Sequence, residues 1–234
     1  MAFRARHRRE AALIDWRRCV RLSAGTACML AAACAGPPPA DWKLNSKAAV
    51  DRSVAAYLSG DSALAAREFE LGRSEVARTG QIDLLARVEL VRCAARVASL
   101  EYDACEGFER LRPQAAAPER AYADFLAARL QPQDVNLLPP SQRAAASANP
   151  DSAVAALQTI DDPFSRLVAA AVLFESGRAN PAAMSLAVDT ASAQGWRRPL
   201  LAWLNVQALR AEKAGALDEA ERLRKRISLV QDSN

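Results

Sequence analysis

Three glycines, Gly60, Gly177 and Gly215, sit inside one recurring local pattern. A small residue lies seven places before each (Ser53, Ala170, Ala208) and an alanine five places after each (Ala65, Ala182, Ala220). Leu100 occupies the equivalent place in a fourth segment, with Cys93 and Cys105 at the same offsets. Glycine permits the left-handed backbone that turns a chain after a helix. Small residues on both sides of the turn let two antiparallel helices cross closely, where bulky side chains would hold the backbones apart. The pattern therefore restricts the chain to helical hairpins.

The intervening residues agree. Apolar positions recur at three and four, as in Leu84, Leu85, Val88, Val91, Ala95 and Ala98, and no segment alternates with period two. Asn149-Pro150, Asp162-Pro163 and Asn180-Pro181 each place a capping side chain before a proline that opens a helix, and Pro118 and Pro199 can open helices in the same way. Gly80 and Gly195 stand where left-handed residues end helices. The pattern predicts an all-α chain with helices over 44–59, 62–79, 82–99, 102–112, 118–130, 140–148, 151–159, 163–176, 181–194, 199–214 and 217–230, and an irregular loop over 131–139. The turns at 60, 100, 177 and 215 are 40, 77 and 38 residues apart, so a fifth hairpin from 118–130 and 140–148 fits the double interval. A period of this size is expected of an α-solenoid.

The first hairpin, with Tyr57, Gly60-Asp61, Ala65 and Phe69, resembles the tetratricopeptide-repeat family. The hairpins at Phe174, Gly177, Ala182 and at Gly215, Leu217, Ala220 share part of that pattern, while the intervals exceed the family's period of about 34 residues. The resemblance implies an α-solenoid of TPR-like antiparallel hairpins over 44–231. It also implies a concave surface for a peptide or another subunit. An irregular bundle of alanine-rich hairpins is the other reading of the same periodicity.

The N-terminal residues have a different character. Seven arginines (Arg4, Arg6, Arg8, Arg9, Arg17, Arg18, Arg21) precede the apolar run Leu22 to Ala33, which closes on Cys34 and is followed by Ala35-Gly36-Pro37-Pro38-Pro39. The run has 12 residues, short of the roughly 20 that a spanning helix needs. Basic region, apolar run, small residues and cysteine together resemble a bacterial lipoprotein signal peptide, with Leu30 one place earlier than that family's leucine. The resemblance implies a signal peptide over 1–33, and a lipidated Cys34 with a Pro-rich tether over 34–43. It implies anchorage at the periplasmic face of the outer membrane, since Ala35 and not an aspartate follows the cysteine. Cleavage after Ala33 by the ordinary signal peptidase also fits, because Ala31-x-Ala33 has the required small residues, and it would leave a soluble periplasmic protein.

Removing the leader changes the electrostatics. Its seven arginines and two acids, taken from 31 and 27, leave 24 basic and 25 acidic residues, so the basic pI belongs to the leader. No basic run interleaved with aromatics remains, and no nucleic-acid partner is expected. The lone histidine, His7, also lies in the leader, which excludes Ser-His-Asp and Cys-His catalysis from the remainder. Phosphate-loop and dinucleotide fingerprints are absent. No cofactor is expected. Cys93 and Cys105 are the two cysteines left beyond Cys34, and an oxidising compartment allows them to bond. Two buried thiols filling a tight crossing is the alternative, and without histidine they make a poor zinc shell, so no metal is expected. Asp161-Asp162 reads as a helix cap. Trp196, Arg197 and Arg198 form a candidate surface for an anionic or peptide ligand.

These readings lead to a non-enzymatic function: a lipoprotein that holds an envelope protein or peptide, touching the membrane through its lipid alone. The alternative is a peptidoglycan-active enzyme or its accessory subunit, working through a carboxylate pair that the sequence does not place in a cleft.

Overall fold

A computed structural model describes residues 40–232, and those residues form eleven α-helices, one 3-10 helix and no strand. They are α1 (Asp41–Ser59), α2 (Ser62–Ala77), α3 (Ile82–Ala98), α4 (Glu106–Glu109), α5 (Ala117–Leu126), the 3-10 helix (Pro132–Leu137), α6 (Pro140–Ser147), α7 (Ala153–Gln158), α8 (Pro163–Glu175), α9 (Pro181–Ala193), α10 (Arg197–Lys213) and α11 (Leu217–Gln231). The expected helix over 102–112 shrinks to the single turn of α4, and the expected loop over 131–139 holds the 3-10 helix. No helix among the described residues is long and apolar enough to cross a membrane.

Local chemistry sets most of these boundaries. Asp61, Asp162 and Asn180 accept hydrogen bonds from the backbone N–H groups of Leu64 (2.9 Å), Ser165 (2.7 Å) and Ala183 (2.8 Å), satisfying donors that a helix start leaves open. At the turns, Gly60, Gly177 and Gly215 have φ of 102°, 70° and 72°, and Leu100 adopts φ of 62° in the same role. A leucine there is strained by about 1–2 kcal/mol. Its side chain, packed against the core, offsets that strain.

The small-residue crossings hold at two of the three glycine turns. In the first hairpin Ser53 Oγ donates to the Ala65 carbonyl at 2.8 Å. One heptad further from the turn on both helices, Ser46 Oγ donates to the Gly72 carbonyl at 3.0 Å. In the last hairpin Ala208 and Ala220 are both buried. At Gly177 the second helix starts four residues after the glycine, and not two as in the other hairpins. Ala182 therefore falls on an exposed first turn, and Ala183 is buried in its place.

The expected fifth hairpin is replaced by other pairings. α5 packs on α3 and α6 packs on α8, with the 3-10 helix touching both α5 and α6. Pro132, Pro139 and Pro140 separate α5 from α6, and this stretch cannot fold as a tight two-helix turn. Contacts also link segments far apart in sequence. Trp203, fully buried, donates its indole N–H to the Ala98 carbonyl at 3.3 Å and meets Phe174 edge-to-face at 5.6 Å. Tyr102 donates its hydroxyl to the Ala171 carbonyl at 2.9 Å. α10 packs against α1, so the first hairpin touches more than its sequence neighbours. One apolar core runs from Leu58 to Ile227, and a smaller cluster joins Phe69, Val76 and Val88.

Candidate functional site

Helix α3 lies between two apolar hollows. The first, of about 240 Å³, lies among α1, α2 and α3, with Val50, Val54, Phe69 and Ala95 in its walls and Ser62, Glu70 and Arg96 among its polar groups. The second, of about 530 Å³, lies among α3, α5, the 3-10 segment and the start of α8, and includes Leu90, Tyr122, Leu137 and Phe164. Val91 lines both, so the two hollows adjoin on α3. Concave, mainly apolar sites with a few fixed polar groups are the usual form of binding sites.

A series of ion pairs braces the walls. Arg52 of α1 donates to Glu68 of α2 at 2.8 Å, and Arg73 of α2 donates to Glu89 of α3 at 2.8 Å, each pair 16 residues apart. Arg87 of α3 donates to Glu119 of α5 at 2.6 Å. The carboxylates are the buried partners and the arginines reach the surface. Glu89 also accepts from Arg92 at 2.8 Å, whose guanidinium lies 4.2 Å from the Phe69 ring centre. Removing one partner of such a pair leaves a buried charge uncompensated, so the pairs fix how the helices face each other. Glu119 is 4% exposed, and its Oε2 is shielded from water with no hydrogen-bond partner.

Tyrosines border both hollows. Burial pushes the Tyr57 hydroxyl far above its usual range, with Glu101 adding to the shift. Burial does the same to Tyr122, with a smaller contribution from the Asp162 charge. Both therefore stay neutral donors at physiological pH. Among the described residues no group of three or more His, Cys, Asp or Glu side chains is placed to hold a metal.

The sequence-predicted residues are distributed as follows. Cys34 lies outside the described residues. Cys93 and Cys105 are at disulfide-bonding distance, with Cα atoms 5.8 Å apart, and they join α3 to the residue that precedes α4. Trp196, Arg197 and Arg198 are each partly exposed and each make contacts within the protein. Trp196 packs against the core, and Arg197 donates to the Gln231 carbonyl at 3.0 Å. Arg198 points elsewhere: it donates to the Tyr57 carbonyl at 2.8 Å and to Ser62 Oγ at 2.7 Å, and it lies 4.2 Å from the Tyr57 ring centre. Its carbonyl partner is 141 residues away in sequence, so Arg198 fastens α10 to the first turn. Asp162 is a cap, as expected.

Sequence reasoning missed the hollows and the Arg87–Glu119 pair. The repeated 16-residue spacing of Arg52–Glu68 and Arg73–Glu89 was the available signal, because charges at matched offsets on successive helices face each other. No family model, curated protein or solved structure matches the chain.

Proposed function

We propose that this protein is a binding scaffold of the bacterial cell envelope, attached through lipid on Cys34 to the periplasmic face of the outer membrane, whose TPR-like hairpins hold a protein or peptide partner. The observation that carries the binding role is the pair of adjoining apolar hollows along α3, braced by ion pairs. A surface shaped in advance loses little entropy when it binds. The leader carries the address, since its charge, apolar run and terminal cysteine have the order of an export signal. The glycine turns and the Ser53–Ala65 crossing favour repeat-type hairpins.

The proposal is tested in cells with a photo-crosslinking amino acid at Val91. A specific adduct in the envelope fraction, absent when the crosslinker stands at exposed Leu229, is the expected result. An envelope without any Val91 adduct refutes the binding role. Cys34→Ser should abolish fatty-acid labelling and release the protein from membranes, and labelling that persists refutes the anchor.

A further inference from the structure

A third hollow, of about 450 Å³, lies among α3, α5 and the segment that precedes α4. One of its walls is the run Tyr102-Asp103-Ala104-Cys105. That run is irregular, and among the described residues no backbone hydrogen bond starts from the N–H groups of 102–105. Side chains hold it instead. Tyr102 donates to the Ala171 carbonyl at 2.9 Å, Asp103 pairs with Arg96, and Cys105 lies at bonding distance from Cys93 of α3. The first two ties are single polar contacts, and the second is an exposed ion pair of the kind that contributes little. A segment with no backbone bonds of its own opens readily once its side-chain ties are cut. α4 is fixed separately, because Phe108 is fully buried and Gly107 leaves no room for a Cβ against the Glu89 carboxylate.

The two cysteines differ in access. Cys93 is 6% exposed, whereas Cys105 is partly exposed and lines the hollow. We propose that the Cys93–Cys105 bond is a redox latch on this wall, opened by a dithiol reductant that enters through the hollow and attacks Cys105. A thiolate of the reductant attacks Cys105 Sγ, the Sγ–Sγ bond breaks, and Cys93 leaves as a thiolate and takes up a proton. The second thiolate of the reductant then attacks its own sulfur in the mixed disulfide, and Cys105 leaves and is protonated in turn. Two electrons reach the two cysteines, and the reductant ends as a disulfide. The wall then keeps only the Tyr102 and Asp103 contacts, while α4 stays docked through Phe108. The lining also selects the reductant by charge. Asp103 and Glu109 are already paired with arginines, but Glu175 has no ion-pair partner among the described residues, so a cationic thiol is favoured over an anionic one. The latch is independent of the binding role argued above, which concerns the other two hollows.

The experiment treats the full chain, purified oxidised, with cysteamine or with mercaptoethanesulfonate, each rate being divided by that thiol's rate on neutral hydroxyethyl disulfide. Acid-quenched peptide maps should show the mixed disulfide on Cys105 and a free thiol on Cys93. The cationic thiol should react about threefold faster, and the ratio should fall at high salt. After full reduction by dithiothreitol, chymotrypsin should cut behind Tyr102 in protein that keeps its helical circular dichroism, and the oxidised protein should resist. Cys93→Ser, which leaves Cys105 without its partner, should be cut there without reductant. Adducts on Cys93 overturn entry through the hollow, and equal normalised rates overturn the selection by charge. An uncut Tyr102 in folded, reduced protein overturns the latch. So do cuts along the whole chain with loss of circular dichroism, because the bond would then hold the entire fold. Two free thiols before any treatment overturn the bond itself. Each of these failures leaves the Val91 crosslinks, and with them the binding role, untouched.

Discussion

Gly72→Ala should destabilise the protein, against the intrinsic preference of the helix. In an open helix interior alanine is favoured over glycine by about 0.5–1 kcal/mol. At Gly72 a Cβ would stand 2.8 Å from Val50 Cγ2, 3.1 Å from the Ser46 carbonyl and 3.2 Å from the Val50 nitrogen. Two of those three neighbours are backbone, and valine is stiff at χ1, so α1 and α2 must move apart. Overpacking of this kind costs about 1–3 kcal/mol. Separation of the helices also weakens the 3.0 Å bond from Ser46 Oγ to the Gly72 carbonyl, at a cost of about 1 kcal/mol. The net loss is about 1–3 kcal/mol, since the helix preference offsets only the smaller term. For a chain of this size 2 kcal/mol corresponds to a fall in Tm of about 4–8 °C. Urea unfolding followed at 222 nm should show a lower midpoint with an unchanged slope. Val50→Ala in the Gly72→Ala background should restore part of the loss, because the two backbone contacts remain. An unchanged or higher midpoint for Gly72→Ala would refute the close crossing.

Three further perturbations probe other parts of the fold. Cleavage of the Cys93–Cys105 bond by reductant should lower stability by about 3 kcal/mol on the chain-entropy account of a 12-residue separation, and intact-mass comparison of alkylated samples before and after reduction monitors the bond; two free thiols in protein purified from the periplasm would rule it out. Arg198→Ala should cost about 2 kcal/mol by removing three hydrogen bonds and a stacked guanidinium between α10 and the first turn, and a double-mutant cycle with Tyr57→Leu, which keeps the carbonyl acceptor, should show the coupling of the stack; additive effects would rule out the stack. Burial raises the hydroxyls of Tyr57, Tyr102 and Tyr122, all three tyrosines of the chain, in the folded state. The unfolded chain ionises them near pH 10, so the stability they contribute is complete below that value and declines as pH rises above it. Absorbance at 295 nm should therefore increase only with unfolding, and smooth ionisation of folded protein would contradict their burial.

The secondary structure was largely legible because its determinants are local. A cap needs Asp162 beside Pro163, and a left-handed turn needs Gly60 or Gly215; such signals act within a few residues. Leu100 was found by the same spacing although it lacks the glycine that usually marks a turn. The pairing of Ser53 with Ala65 followed from distance to the turn, since an antiparallel hairpin sets its own register. Local reasoning failed where a small change in turn geometry moved the register, as between Gly177 and Pro181, and where three prolines replaced a hairpin by separate contacts of α5 and α6. It also could not show that Arg198 reaches the Tyr57 carbonyl, because a surface arginine and one that bridges to residue 57 look alike in sequence.

The amino-acid order alone determined that this chain is helical, where most of its helices start and stop, and which cysteines can meet. Each of those depends on hydrogen bonds, dihedral angles and loop lengths within short stretches of chain. Only the tertiary structure decided that α10 closes on α1, that α3 is shared by two hollows, and that the Glu119 carboxylate is buried against Arg87. Those features depend on burial and on contacts between residues tens to more than a hundred positions apart. The free energy of such contacts comes from surfaces that neither segment forms by itself.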